Sequence, residues 1–124
     1  MIRDLDLIRV LMLHLEQATT FVTDRDAIDG YSRDKVAYHL ALIIESGFAE
    51  GQPLYGNTGS DPTIPGAVVV MRLTSAGHDY IDSIRDAGVW SEVKQRIVAI
   101  GGTIALQIVS QIAQSVLRKR MGLG

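Results

Sequence analysis

Residues 32–48 read Ser32-Arg33-Asp34-Lys35-Val36-Ala37-Tyr38-His39-Leu40-Ala41-Leu42-Ile43-Ile44-Glu45-Ser46-Gly47-Phe48. Ser32 suits a helix N-cap, because its hydroxyl can accept a backbone N–H of the first turn. Val36, Leu40 and Ile43 recur at helical spacing and form an inward stripe. Gly47 offers the left-handed stop, and Phe48 returns the chain to the core. The stretch therefore predicts a capped helix with Arg33, Lys35, Tyr38 and His39 on its N-terminal part. In a helix laid in a DNA groove, that part reads base edges.

Upstream, residues 3–17 predict a helix, with Asp4 and Asp6 in a first turn that favours acids. Leu5, Ile8, Met12 and Leu15 mark its buried face, widened by Leu7, Val10 and Leu11. Residues 18–31 mix strand-like Thr19, Thr20, Phe21, Val22 and Thr23 with turn-forming Asp24, Asp26, Asp29 and Gly30. They predict an extended segment or one short helical turn, and no full second helix. Downstream, residues 48–55 and 66–73 predict two strands joined by a turn-rich connection from Gly56 to Pro65. Thr74 can cap a helix to about Asp86, with Tyr80, Ile81 and Ile84 inward. A short helix follows from about Val89 to Ala99, with Trp90, Val93 and Ile97 inward. Gly101-Gly102 ends it, and Thr103 can cap a last helix to about Arg120. The order is an α+β, mostly α, winged-helix-like domain over 1–86, then a C-terminal helical extension over 87–124. The extension is expected to pack on the domain or at a dimer interface, within one folding unit.

The 124 residues include no cysteine, so disulfides, thiolate metal sites and thiol catalysis are excluded. Charged residues make 21 % and apolar ones 47 %, the balance of a packed domain. Asp4 and Asp6 stand where a secretory leader would carry bases, and no small-residue cleavage site follows. A cytoplasmic location is expected.

Leu73-Thr74-x-x-Gly77 and the helix text from Ser32 to Phe48 resemble bacterial winged-helix repressors. A broader resemblance runs through Arg3-Asp4-Leu5-Asp6-Leu7, Tyr38-His39-Leu40, Leu73-Thr74-x-x-Gly77-His78-Asp79, Arg85-Asp86 and Val89-Trp90-x-x-Val93-Lys94. In that order these pieces resemble an uncharacterised family of small bacterial, prophage and phage proteins, a domain of unknown function. The resemblance implies a winged-helix-like core and a phage or prophage origin. It implies no activity and no catalytic residues.

The charge distribution bears on DNA binding. Residues 1–86 carry seven bases against thirteen acids, a net −6, and residues 87–124 carry five bases against one acid, a net +4. Phosphate contacts need Lys or Arg, yet the expected DNA-reading half is the acidic one, and the wing over 51–67 has no base. A solvated helix end, with Asp34 and Glu45 balancing Arg33 and Lys35, is the plainer account of that cluster.

The other constellations are weak. Asp24, Asp26 and Asp29-Gly30 miss calcium-loop spacing, with Lys35 at the twelfth place, and read as a solvated turn. His78 and Asp82 share a helix face but lack a third ligand at useful spacing. No nucleophile with a base stands out, so no catalysis, no metal and no cofactor is expected. Ile97 to Leu117 is uncharged over 21 residues but includes Thr103, Gln107, Ser110, Gln111, Gln114 and Ser115. That favours an amphipathic helix over a membrane span. Its apolar stripe, Ile104, Ile108, Val109, Ile112 and Val116, is the expected interface of a homodimer.

Two functions follow. The recognition-helix text places first a DNA-binding protein of transcription regulation, of phage or prophage type, reading DNA through Arg33, Lys35, Tyr38 and His39. The acidic charge supports the alternative, an accessory module with a winged-helix fold that binds a host protein and not DNA.

Overall fold

The computed structural model describes residues 1–56, 61–101 and 104–123. Asp4 starts the first helix, α1 (Leu5–Gln17), as its N-cap, its carboxylate accepting the Leu7 N–H at 3.1 Å. Leu7, Ile8, Leu11, Met12 and Leu15 face inward, while Val10 is exposed. Each such aliphatic side chain, fully buried, contributes about 1.5–3 kcal/mol. Residues 18–32 form no helix. They give a two-residue strand, β1 (Val22–Thr23), then turns that end at Gly30.

The second helix, α2 (Arg33–Glu45), begins at Ser32, whose hydroxyl accepts the Lys35 N–H at 3.2 Å. It ends at Gly47, where φ is +81°. Strands β2 (Ala49–Leu54) and β3 (Ala67–Leu73) pair antiparallel, and β1 joins the far side of β3, giving the order β1-β3-β2. Val22 opposite Val70 fixes one register and Gln52 opposite Val69 the other, with a bulge at Glu50/Gly51. Val22, Val68, Val70 and Leu73 are buried, and α1 and α2 contact the sheet. This is an α+β, mostly helical chain. Its order is compatible with a winged helix that lacks the helix between α1 and α2.

A tight junction follows the hairpin. Thr74 donates its N–H to the Phe48 carbonyl at 3.0 Å and its hydroxyl to the Gly47 carbonyl at 2.6 Å. The same hydroxyl accepts the Gly77 N–H at 3.1 Å, capping α3 (Ser75–Ile84). A Cβ at residue 77 would collide with the Phe48 carbonyl oxygen, so only glycine lets α3 start this close to the α2–β2 turn.

The chain divides into two compact units, residues 1–78 and 79–124, with the division inside α3. In the second unit α4 (Ala87–Ile100) is capped by the Asp86 carboxylate on the Val89 N–H at 2.8 Å and stopped by Gly101 at φ +76°. The last helix, α5 (Leu106–Arg120), runs antiparallel to α4. Arg120 at its end donates to the Gly88 carbonyl at 3.0 Å and lies 3.4 Å from Glu92, which also pairs with Arg96 at 3.0 Å. The expected cap Thr103 lies outside the described residues, and no side chain caps α5 at Ala105.

The expected dimer stripe on α5 is corrected. Leu106, Val109, Ala113 and Val116 form the inward face, with Val109 and Val116 fully buried within the chain itself. A helix has one face at 3.6-residue spacing, and turning it by one position moves Ile108 outward. Ile108 is 41 % exposed, while Ile104 and Ile112 are half-buried.

Gly77→Ala should cost about 1–3 kcal/mol through overpacking. Thermal denaturation should show a lower Tm than for the exposed neighbour change Ser75→Ala, expected to stay within about 0.5 kcal/mol of wild type.

Candidate functional site

Arg33 follows the N-cap of α2, at the end expected to face DNA. Its guanidinium turns inward instead. Nη1 donates to Asp24 Oδ2 at 2.8 Å and to the Gly66 carbonyl at 3.2 Å. Nη2 donates to Asp34 Oδ1 at 2.6 Å and to the Pro65 carbonyl at 3.3 Å, and Nε also reaches Asp34 at 3.2 Å. All three nitrogens are occupied by the chain's own acceptors.

Asp24 is 4 % exposed, not the solvated turn residue its sequence neighbours imply. Its Oδ1 accepts the Val68 N–H at 2.9 Å, and its own N–H donates to the Val68 carbonyl at 3.2 Å. Burial pushes the carboxyl pKa up, but the Val68 N–H and Arg33 outweigh it and hold the group below its ordinary value.

His39 is also corrected as a groove-facing residue, because it is fully buried. Nε2 accepts the Asp4 backbone N–H at 2.8 Å, and Nδ1 donates to the Lys35 carbonyl at 2.7 Å. The partners fix the neutral tautomer, since an N–H only donates and a carbonyl only accepts. Burial pushes the imidazole pKa below 6.5, against the Lys35 carbonyl and the Asp4 carboxylate. His39 therefore joins the start of α1 to α2. Lys35 lies beside this joint, its ammonium 3.4 Å from Asp4 and 5.5 Å from the Tyr31 ring centre.

Of the four predicted residues, Tyr38 lines a hollow. Leu42 and Glu45 follow it at i+4 and i+7 along α2. With Ala41, Tyr55 at the end of β2 and Thr63, they line a hollow of about 250 Å³. The Tyr55 hydroxyl donates to Glu45 Oε1 at 3.4 Å. Burial and the Glu45 carboxylate push the Tyr55 pKa up. Asp61 holds Thr63 at the rim, accepting its N–H at 2.9 Å and its hydroxyl at 2.6 Å. Leu42, Glu45 and Tyr55 were not singled out from the sequence. The signal available for two of them was their spacing from Tyr38 on one helix face.

A family model described as a hypothetical protein (DUF2513) matches residues 2–103. The chain belongs to the DUF2513 family. It is 27 % identical over 121 residues to a Haemophilus influenzae protein described as uncharacterized, covering 96 % of this chain and 98 % of that one. No solved structure matches it. The resemblance carried by residues from Arg3 to Lys94 thus stands as membership of an uncharacterised family.

Among the described residues of this DUF2513 chain no cluster of His, Cys, Asp or Glu is built to hold a metal. Asp82 pairs with Arg85 at 3.0 Å. No helix among them is long and apolar enough to cross a membrane.

Arg33→Ala should destabilise by about 2–3 kcal/mol, the loss for a buried partner discounted for the water that reaches Arg33. Urea unfolding should show this, with Lys35→Ala costing under about 1 kcal/mol. The His39 joint should make stability acid-sensitive. Because the folded pKa lies below the unfolded one, its contribution is complete above pH 6.5 and is lost as pH falls through the folded value. The wild-type advantage over His39→Leu in urea should shrink across that window.

Proposed function

We propose that this chain is a non-catalytic, protein-binding accessory module on a winged-helix-like plan, and that it does not read DNA. One observation carries the reading. The α2 face that would enter a groove is lined by Tyr38, Leu42 and Glu45 with Tyr55, while Arg33 bonds inward. A phosphate brought there meets a carboxylate, and the wing over 51–67 offers no Lys or Arg to offset it. Residues 18–31 also supply no helix to hold α2 against a backbone.

A second observation supports self-association through the second unit. Ile100 is 62 % and Ile108 41 % exposed, and both line a groove of about 440 Å³ with Ala99, Ile112, Arg96, Gln111 and Ser115. Exposed aliphatic side chains gathered in one groove mark contact sites, and a two-fold pair would cover the face with its own copy. Because Ile108 is outside the core, Ile108→Asp should keep the circular dichroism spectrum and halve the mass by light scattering. A wild-type protein already monomeric at tens of micromolar overturns the pairing.

Fluorescence anisotropy with a random duplex and with the gene's own upstream region tests the main reading. No binding of either at physiological salt is expected. Tight binding of the upstream duplex, weakened by salt and by Lys35→Ala, would overturn it.

A further inference from the structure

Resting on the protein-binding reading, we infer that the hollow between Tyr38, Glu45 and Tyr55 is its contact point, and that it receives an arginine side chain of a partner protein. Size is the first argument. Pockets for whole small-molecule ligands run to roughly 300–1,000 Å³, and this one, at about 250 Å³, suits one long side chain.

Chemistry selects which side chain. Glu45 lies on the exposed side of α2, and its contact with the Tyr55 hydroxyl is long at 3.4 Å. A carboxylate has about four lone-pair positions, enough to keep that bond and accept a guanidinium through two parallel N–H donors. Tyr38 and Tyr55 flank it with aromatic rings, and a planar cation stacks on such faces. Leu42 and Ala41 give the floor on which the methylene stem of arginine can lie. Among the described residues no Lys or Arg lines the wall.

Charge complementarity works at longer range as well. Residues 1–78 carry six bases against ten acids, and the net −4 attracts a basic partner and repels a nucleic acid. The site adds little to the fold, since Tyr55 is 47 % exposed and Glu45 is exposed. An aromatic ring held half in water beside a carboxylate fits an interface anchor better than core packing.

The test is a titration of the ¹⁵N-labelled full chain with N-acetyl-arginine methylamide, followed by amide chemical shifts. Its neutral isostere, the citrulline amide, is the control. Saturable shifts grouped at Tyr38, Leu42, Glu45 and Tyr55 are expected with arginine and not with citrulline. Glu45→Gln should weaken binding roughly tenfold, the loss of one charge-assisted pair. Tyr55→Leu should weaken it while the rest of the spectrum stays in place. Shifts that never saturate, that appear equally around Asp34 and Glu50, or that survive Glu45→Gln overturn the site. The duplex experiment separates the two claims. If neither duplex nor arginine binds, the pocket assignment alone fails; if the duplex binds, the reading beneath it fails too.

Discussion

The first unit depends on one buried carboxylate. Asp24 sits where a helix-turn-helix would place its second helix, and it does that helix's positioning by polar contact. One oxygen holds the Val68 N–H, the other holds Arg33, and its own N–H extends the β1–β3 ladder by one rung. Three pieces of chain distant in sequence meet there: the connector, the start of α2 and the start of β3. A carboxylate this deep is tolerated only if it is paired and hydrogen-bonded, and Val68 and Arg33 give each of its oxygens a donor. Arg33 then collects the Gly66 and Pro65 carbonyls, which ties the chain entering β3 to the same point.

This arrangement decides what α2 can do. Of the five N–H donors of Arg33, three go to a buried acid and two carbonyls and the other two to Asp34, so none points to a guanine edge or a phosphate. His39 is used in the same way six residues further on, as the joint between the N-terminus of α1 and the Lys35 carbonyl. Two of the four residues that make the helix text look like a DNA reader are thus structural. Lys35 is turned toward Asp4, and Tyr38 faces the hollow beside Glu45 and Tyr55.

Much of the architecture was legible in the sequence, because its determinants are local. Ser32 and Gly47 mark the ends of α2 by chemistry that acts within a few residues, and Thr74 with Gly77 marks the start of α3 equally well. Hydrophobic spacing found the inward faces of α2, α3 and α4. It placed the inward face of α5 imprecisely, because the apolar side of that helix is wide and the choice between Ile108 and Leu106 depends on α4, which no local pattern encodes. The site was less legible for the same reason. Asp24 looks like any turn acid until Val68, 44 residues away, comes beside it. His39 looks like a surface residue until α1 is folded over it. Tyr55 meets Glu45 only because the β2 hairpin returns along α2.

These misreadings share a direction, and it bears on function. Arg33 and His39, which seemed to face outward, proved to be tied inward, while Tyr38, Leu42 and Glu45 on α2 give an aromatic, aliphatic and acidic outward face. Removing bases from a groove-facing helix would leave an inert surface if the remainder were small and polar. Here the remainder is two tyrosines, a leucine and a glutamate around a concave wall, which is costly to leave wet and gains most from a cation that brings its own apolar stem. The inward ties of Arg33 and His39 and the outward face around Tyr38 are therefore two sides of one arrangement. On α2 the fold uses Arg33 and His39 for its own joints and presents the complement of a positive charge at Glu45.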